Sequence, residues 1–200
     1  MTLKKPVLLV GCGGHSRSLI DIIEAEGKWE IVGLIGLPEQ IGERVLGYQV
    51  IGSDNDLKGL VRDVRYAVIA VGQVPDSTIR RRLAELIDYL GFTSPVIVSP
   101  SAVVSKHAIL GAGTVVGHGA IVNAGAVVGQ HCIINSRALI EHDVSVKDHC
   151  HVSTGALVNG SVKIGPDSFV GSGAVIREGI KLPDKTIISA GKRVMAWPLL

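Results

Sequence analysis

The chain has 200 residues, of which 46% are hydrophobic, 19% charged and only 4% aromatic, with 25 glycines and a formal net charge of +2. That length suits one large domain or two small ones with a sizeable aliphatic core, and a near-neutral balance without a Lys/Arg stripe argues against nucleic-acid binding. No apolar run reaches the ~18 residues needed to span a membrane, the opening "MTLKKPVLLVGCGGHSR" breaks at Gly11 too early for a secretory leader, and Cys12, Cys132 and Cys150 form no CxxC pair and no even disulfide set, so a reduced, cytoplasmic chain is expected.

In chain order, "PVLLV" (6–10) reads as a buried strand, followed by the turn "GCGGHS" (11–16) and a helical pattern to about Gly27. "EIVGLI" (30–35) reads as a second strand, "DNDLKGLV" (54–61) as a short helix and "YAVIAVG" (66–72) as a third strand. "DSTIRRRLAELIDYLG" (76–91) predicts a helix with Asp76 or Ser77 as cap and Gly91 as stop. Strands alternating with helices predict a small Rossmann-like parallel α/β unit over residues 1–94.

The turn Gly11-Cys12-Gly13-Gly14-His15 leaves a strand and opens a helix, so its backbone amides can hold a phosphate. Ser16 stands where a dinucleotide fingerprint has its third glycine, and "GLIGLPE" places no acidic residue after the second strand. Both departures argue against NAD. The turn fits a nucleotide-sugar phosphate better than a purely structural role.

From Ile97 to Lys192 the sequence divides into sixteen hexads without an insertion, beginning IVSPSA, VVSKHA, ILGAGT. The second position is Val, Ile or Leu in every hexad, the sixth is mostly small, and the third is mostly Gly, Asn or Ser. A period of six matches neither an amphipathic helix nor a plain strand. It matches a hexapeptide β-helix, so residues 95–200 are expected to form an all-β left-handed parallel β-helix of about five coils. The aliphatic residue points inward, the small sixth residue closes the corner, and Gly or Asn at the third position is expected to take the unusual turn angles. Three hexads make one coil, so residues 18 apart stack. Cys132 and Cys150 are then small buried thiols in adjacent coils.

"LIEHDVSVKDHCHVSTGALVNG" (139–160) holds three of the seven histidines. A zinc site of the type found in trimeric β-helix carbonic anhydrases needs a second histidine shortly after the first. His107 and His142 have the long gap, but position 147 is Lys, so no metal is expected. Acid–base chemistry fits better. Asp143 beside His142 can fix one tautomer and stabilise the imidazolium. The ruler places Gly160 one coil above His142, where its N–H can approach an oxyanion. His151, half a coil on, can face the same groove. His107, His118 and His131 read as exposed polar corner residues.

The glycine turn, the coils and "IINSRALIEHDVSVKDHCHVSTGALVNGSVKIG" (133–165) together resemble the NeuD/PglD-like sugar acetyltransferases over essentially the whole chain. The resemblance implies an acetyl-CoA-dependent enzyme that N-acetylates a nucleotide-linked amino sugar for surface glycan synthesis. It implies His142 as general base, Asp143 as its support and Gly160 N–H on the thioester oxygen. It places His151 near the acetyl donor and Asn135 in the active-site wall. Gly173 and Ala174 would line the acetyl-CoA groove, with Gly191 and Lys192 at its distal end. Gly11, Gly13, Gly14, His15 and Gly72 would cradle the nucleotide sugar, and the assembly would be a homotrimer. Two positions depart from the family: Gly36-Leu37 replaces an acidic pair after the second strand, and Ser99-Pro100-Ser101-Ala102 replaces His-Pro-Ser-Ala. An alternative within acetyl transfer is O-acetylation of a sialic-acid-type sugar, with Arg137 as the candidate partner of the acceptor's carboxylate.

Overall fold

The computed structural model describes residues 3–73 and 76–198. The chain forms two compact units, one made of residues up to Gly72 together with Thr78–Pro95, the other of Gln73–Ser77 with residues from Val96 onward.

The first unit is a sheet of five strands: β1 (Lys5–Val10), β2 (Trp29–Gly36), β3 (Arg44–Val45), β4 (Tyr48–Ser53) and β5 (Tyr66–Ile69), in the order β3-β4-β2-β1-β5. All pairings are parallel except β3–β4. Val7 to Val10 are buried on both faces, which is why β1 reads as a continuous apolar run. Helix α1 (Gly14–Glu26) buries Leu19, Ile20, Ile22 and Ile23 at helical spacing. It stops at Gly27, whose φ of 70° lets its N–H return to the Ile23 carbonyl. Short α2 is Leu57–Leu60 and α3 is Thr78–Tyr89. Arg80 of α3 is buried, its guanidinium donating to the carbonyls of Val71 and Ile69.

The hairpin β3–β4 lies outside the elements read from the sequence. Its turn residues Leu46 and Gly47 both have positive φ, 49° and 91°, the combination a tight hairpin turn requires. β5 also ends earlier than expected, at Ile69; Ala70 then donates its N–H to the Val10 carbonyl.

The second unit is the left-handed parallel β-helix. Among the described residues, seventeen two-residue strands, β6 (Ile97–Val98) to β22 (Arg193–Val194), form three parallel sheets of six, five and six strands. The final strand extends the repeat one hexad past Lys192. Pairing follows the 18-residue ruler, as in Ile121↔Leu139 and Leu139↔Leu157. The second-position aliphatics from Val116 to Val194 are buried and form one continuous core. Each such side chain contributes ~1.5–3 kcal/mol.

The corner chemistry differs from the sequence expectation. Positive φ falls on the fifth hexad position, at His131, Arg137, Asp143, His149 and Gly173 among others. The third-position glycines serve close approach instead: a β-carbon on Gly165 would lie 2.5 Å from the Asp184 amide nitrogen in the next coil. Cys132 and Cys150 are free, buried thiols, donating to the carbonyls of Lys147 and Gly165 at 3.1 and 3.2 Å. His131 is not an exposed corner residue. It is buried, its ring parallel to that of His149 with centroids 5.6 Å apart, because the coil stacks these two fifth-position side chains directly.

Candidate active site

His142 occupies the corner between β13 (Leu139–Ile140) and β14 (Ser145–Val146). Asp143, held at φ 59°, turns its carboxylate back on the ring, with Nδ1 to Oδ2 at 2.9 Å. A carboxylate only accepts, so Nδ1 carries the proton and Nε2 is left as the basic nitrogen. The His142 and Asp143 side chains are 57% and 66% exposed. The His142 pKa is raised above the ordinary histidine value, chiefly by the hydrogen bond to Asp143, with further help from the charges of Asp143, Glu141 and Glu178.

Two further residues brace this corner. Glu141 Oε2 accepts the His142 backbone N–H at 3.1 Å and an Asn123 side-chain N–H at 3.0 Å. Asn123 escaped the sequence reading, although it lies one ruler length below Glu141. Above the ring stands Gly160, in the corner after β16 (Leu157–Val158). A β-carbon there would sit 2.7 Å from both Cε1 and Nε2 of His142, so only glycine leaves the ring its place. The Gly160 carbonyl accepts from Gly179, while its own N–H donates to no protein group among the described residues.

His151 belongs to a different arrangement. It starts β15 (His151–Val152), is 5% exposed, and its ring meets Phe169 edge-on at 5.2 Å. Its Nδ1 donates to the Gln73 carbonyl at 2.8 Å, and its Nε2 accepts from the Asn135 amide at 3.2 Å. Asn135 Oδ1 in turn accepts the Ser136 N–H. His151 and Asn135 are thus brought to each other rather than to His142. Gly173 and Gly191 are exposed at successive corners, linked through Gly191 N–H to the Ser172 carbonyl, and Lys192 is exposed beside them. Ala174 is wholly buried in the β-helix core. Its methyl group takes an inward sixth position of the hexad.

In the α/β unit, Gly11 has φ 124° and packs against the chain after β5: a β-carbon there would be 2.6 Å from Val71 Cγ2. Gly72 abuts His15, and Gly13 and Gly14 stand open at the start of α1. The five residues of the expected cradle therefore meet in one unit. Ser16 takes the third-glycine position without strain, buried, with its hydroxyl donating to the Gly13 carbonyl at 2.6 Å. Among the described residues, no group of three His, Cys, Asp or Glu side chains could hold a metal ion, and no helix is long and apolar enough to cross a membrane.

Residues 6–87 match the PglD N-terminal domain, and residues 161–194 match the hexapeptide repeat of succinyl-transferase. A solved histidine-to-asparagine variant of perosamine N-acetyltransferase from Caulobacter crescentus, in complex with CoA and GDP-perosamine, is 30% identical. The match covers 96% of this chain and 89% of that one, with a TM-score of 0.90. The chain belongs to the PglD-like family of sugar acetyltransferases. The acetyltransferase domain of PglB from Neisseria gonorrhoeae, solved with acetyl coenzyme A, is 31% identical over 96% of this chain and 93% of that one, with a TM-score of 0.86. UDP-N-acetylbacillosamine N-acetyltransferase of Bacillus subtilis (strain 168) is 33% identical over 112 residues, 55% of this chain and 50% of that relative, so the match spans half of its length.

Proposed function

We propose that this chain transfers the acetyl group of acetyl-CoA to the amine of a nucleotide-linked amino sugar, with His142 as general base. The observation that carries this reading is the corner itself: one ring nitrogen of His142 is fixed by Asp143 and the other faces Gly160. Nε2 takes the proton from the sugar amine as the amine attacks the thioester carbonyl. Asp143 stabilises the imidazolium, and the Gly160 N–H meets the developing oxyanion. The proton then leaves with CoA as its thiol, so no covalent enzyme intermediate is needed. Relatives named for perosamine and bacillosamine N-acetylation support the amine over the hydroxyl as acceptor.

The active assembly in this reading is a cytoplasmic homotrimer that binds acetyl-CoA between neighbouring β-helices, past Gly173, Gly191 and Lys192. The sheet that leads into the His142 corner turns the aliphatic side chains of Val103, Ile121 and Leu157 outward, exposed. A second copy of the chain is the natural cover for such a ladder. Light scattering at micromolar concentration should give three times the chain mass; a monomer would contradict the assembly.

The test of function is a panel of UDP-, GDP- and CMP-linked amino sugars incubated with acetyl-CoA, read by release of free thiol. Thiol release with one amino sugar and an N-acetyl product is expected. No release with any member, or transfer to a sugar hydroxyl, would overturn the reading.

A further inference from the structure

The sheet β22-β19-β16-β13-β10-β7 is bounded by two corners of different charge. The corner that leads into it carries His118, Arg137 and Lys192 and no carboxylate. The corner that leaves it carries Glu141, Asp143 and Glu178 around His142, with Lys106, His107 and Arg177 toward its two ends. Val103, Ile121 and Leu157 stand exposed on the face between the corners, the face that a second copy covers in the proposed assembly.

One donor and one acceptor stand unused at these corners. Asp143 Oδ2 is taken by His142 Nδ1, while Oδ1 accepts from no group among the described residues. Oδ1 leans over the coil below, where a β-carbon on Gly125 would lie 2.5 Å from it. The Arg137 side chain leans over the same coil, its Cγ 3.6 Å from where a β-carbon on Gly119 would be. Its exposed guanidinium makes no ion pair among the described residues. Gly119 and Gly125 flank one strand, β10 (Ile121–Val122). Across one strand of a three-sided coil the chain rises only about a third of the ~4.8 Å coil spacing, so the two side chains share nearly one height. Within one subunit the strand between them, roughly 15–20 Å of extended chain, keeps them apart.

We infer that Arg137 of one subunit donates to Asp143 Oδ1 of the next and holds that carboxylate against His142, so that each corner is completed by its neighbour. A closed ring of copies about an axis parallel to the coils preserves height, and it turns one edge of each sheet toward the opposite edge of the next. The basic edge then meets the acidic edge at the level of His142, and the guanidinium–carboxylate bond between them is charge-assisted. Arg137 touches neither the substrate nor the transferred proton; it is a positioning residue that acts through Asp143. Its charge also partly offsets the rise that Asp143, Glu141 and Glu178 impose on the His142 pKa. This rests on the proposed homotrimer and adds to it the residue that each copy lends.

Co-expression of two variants of the full chain under different affinity tags tests it. His142→Ala lacks the base. Arg137→Asp sets one carboxylate against another and should be slower than the wild type by about 10-fold; aspartate suits the positive φ at 137, as Asp143 and Asp167 show at equivalent positions. A trimer captured through both tags has one junction where the His142 of an Arg137→Asp copy meets an intact Arg137. About a third of the wild-type rate should therefore return. Arg137→Asn, which removes only the charge, should keep its melting temperature and trimer mass while the acid limb of kcat/KM moves to higher pH. Mixed trimers no faster than their parents, or an acid limb that stays in place, would overturn the inference and leave the trimer and the acetyl transfer standing. A chain that never passes both tags would overturn the assembly itself.

Discussion

His142 and His151 lie nine residues apart, one and a half hexads, and the coil turns that offset into opposite surroundings. His142 falls on a corner, exposed, with one ring nitrogen held and the other directed at a glycine. His151 falls on a strand, buried, with both ring nitrogens and one ring edge engaged. The same side chain therefore has a nitrogen to spare for proton transfer in one place and none in the other. Position within the hexad decides which.

The largest effect that would sharpen this contrast is that of His142→Ala. It should lower kcat by ~10²–10⁴-fold with little change in KM for acetyl-CoA, because a general base acts mainly in the transition state. Steady-state kinetics on both substrates check this. Gly160→Ala comes next. The added methyl occupies the place of the His142 ring edge, and the exposed ring can swing away without unfolding the coil. The expected result is a fall in kcat of ~10- to 10³-fold at nearly unchanged melting temperature.

His151→Ala should behave in the reverse sense. It opens a cavity beside Phe169 and strands the Gln73 carbonyl, so denaturant unfolding should show a loss of ~2–4 kcal/mol. The pH dependence of the surviving activity should stay where it was. A variant of wild-type stability whose acid limb moved would make His151 a titrating participant and erase the contrast. Asp143→Asn should have the smallest effect, about 10-fold or less in kcat, since the ring keeps a hydrogen-bond partner and loses the charge.

The β-helix was legible because its signal repeats: each hexad spends one inward aliphatic, and sixteen agree. The reason assigned to its glycines was not, since a composition pattern cannot tell a glycine needed for positive φ from one needed so that the next coil can pass. Likewise the hairpin β3–β4 carries Leu46-Gly47 in place of the Asn-Gly or Asp-Gly that announces such a turn. At the site, the His142–Asp143–Gly160 grouping followed from one ruler, because all three lie in stacked corners. The burial of His151 did not, because its Nδ1 partner comes from Gln73, 78 residues away.

If the Nε2 of His142 acts as the base, the pH profile of kcat/KM reports its titration. Because Asp143 raises the His142 pKa, the neutral base forms only as pH rises through that raised value. The wild-type acid limb should therefore lie above the ~6.5 of an ordinary histidine. Asp143→Asn should move it down toward that value, and His142→Ala should lose it together with most of the rate. If His142→Ala retains near-wild-type turnover and the same acid limb with the true acceptor, the exposed corner is surface decoration and the base lies elsewhere.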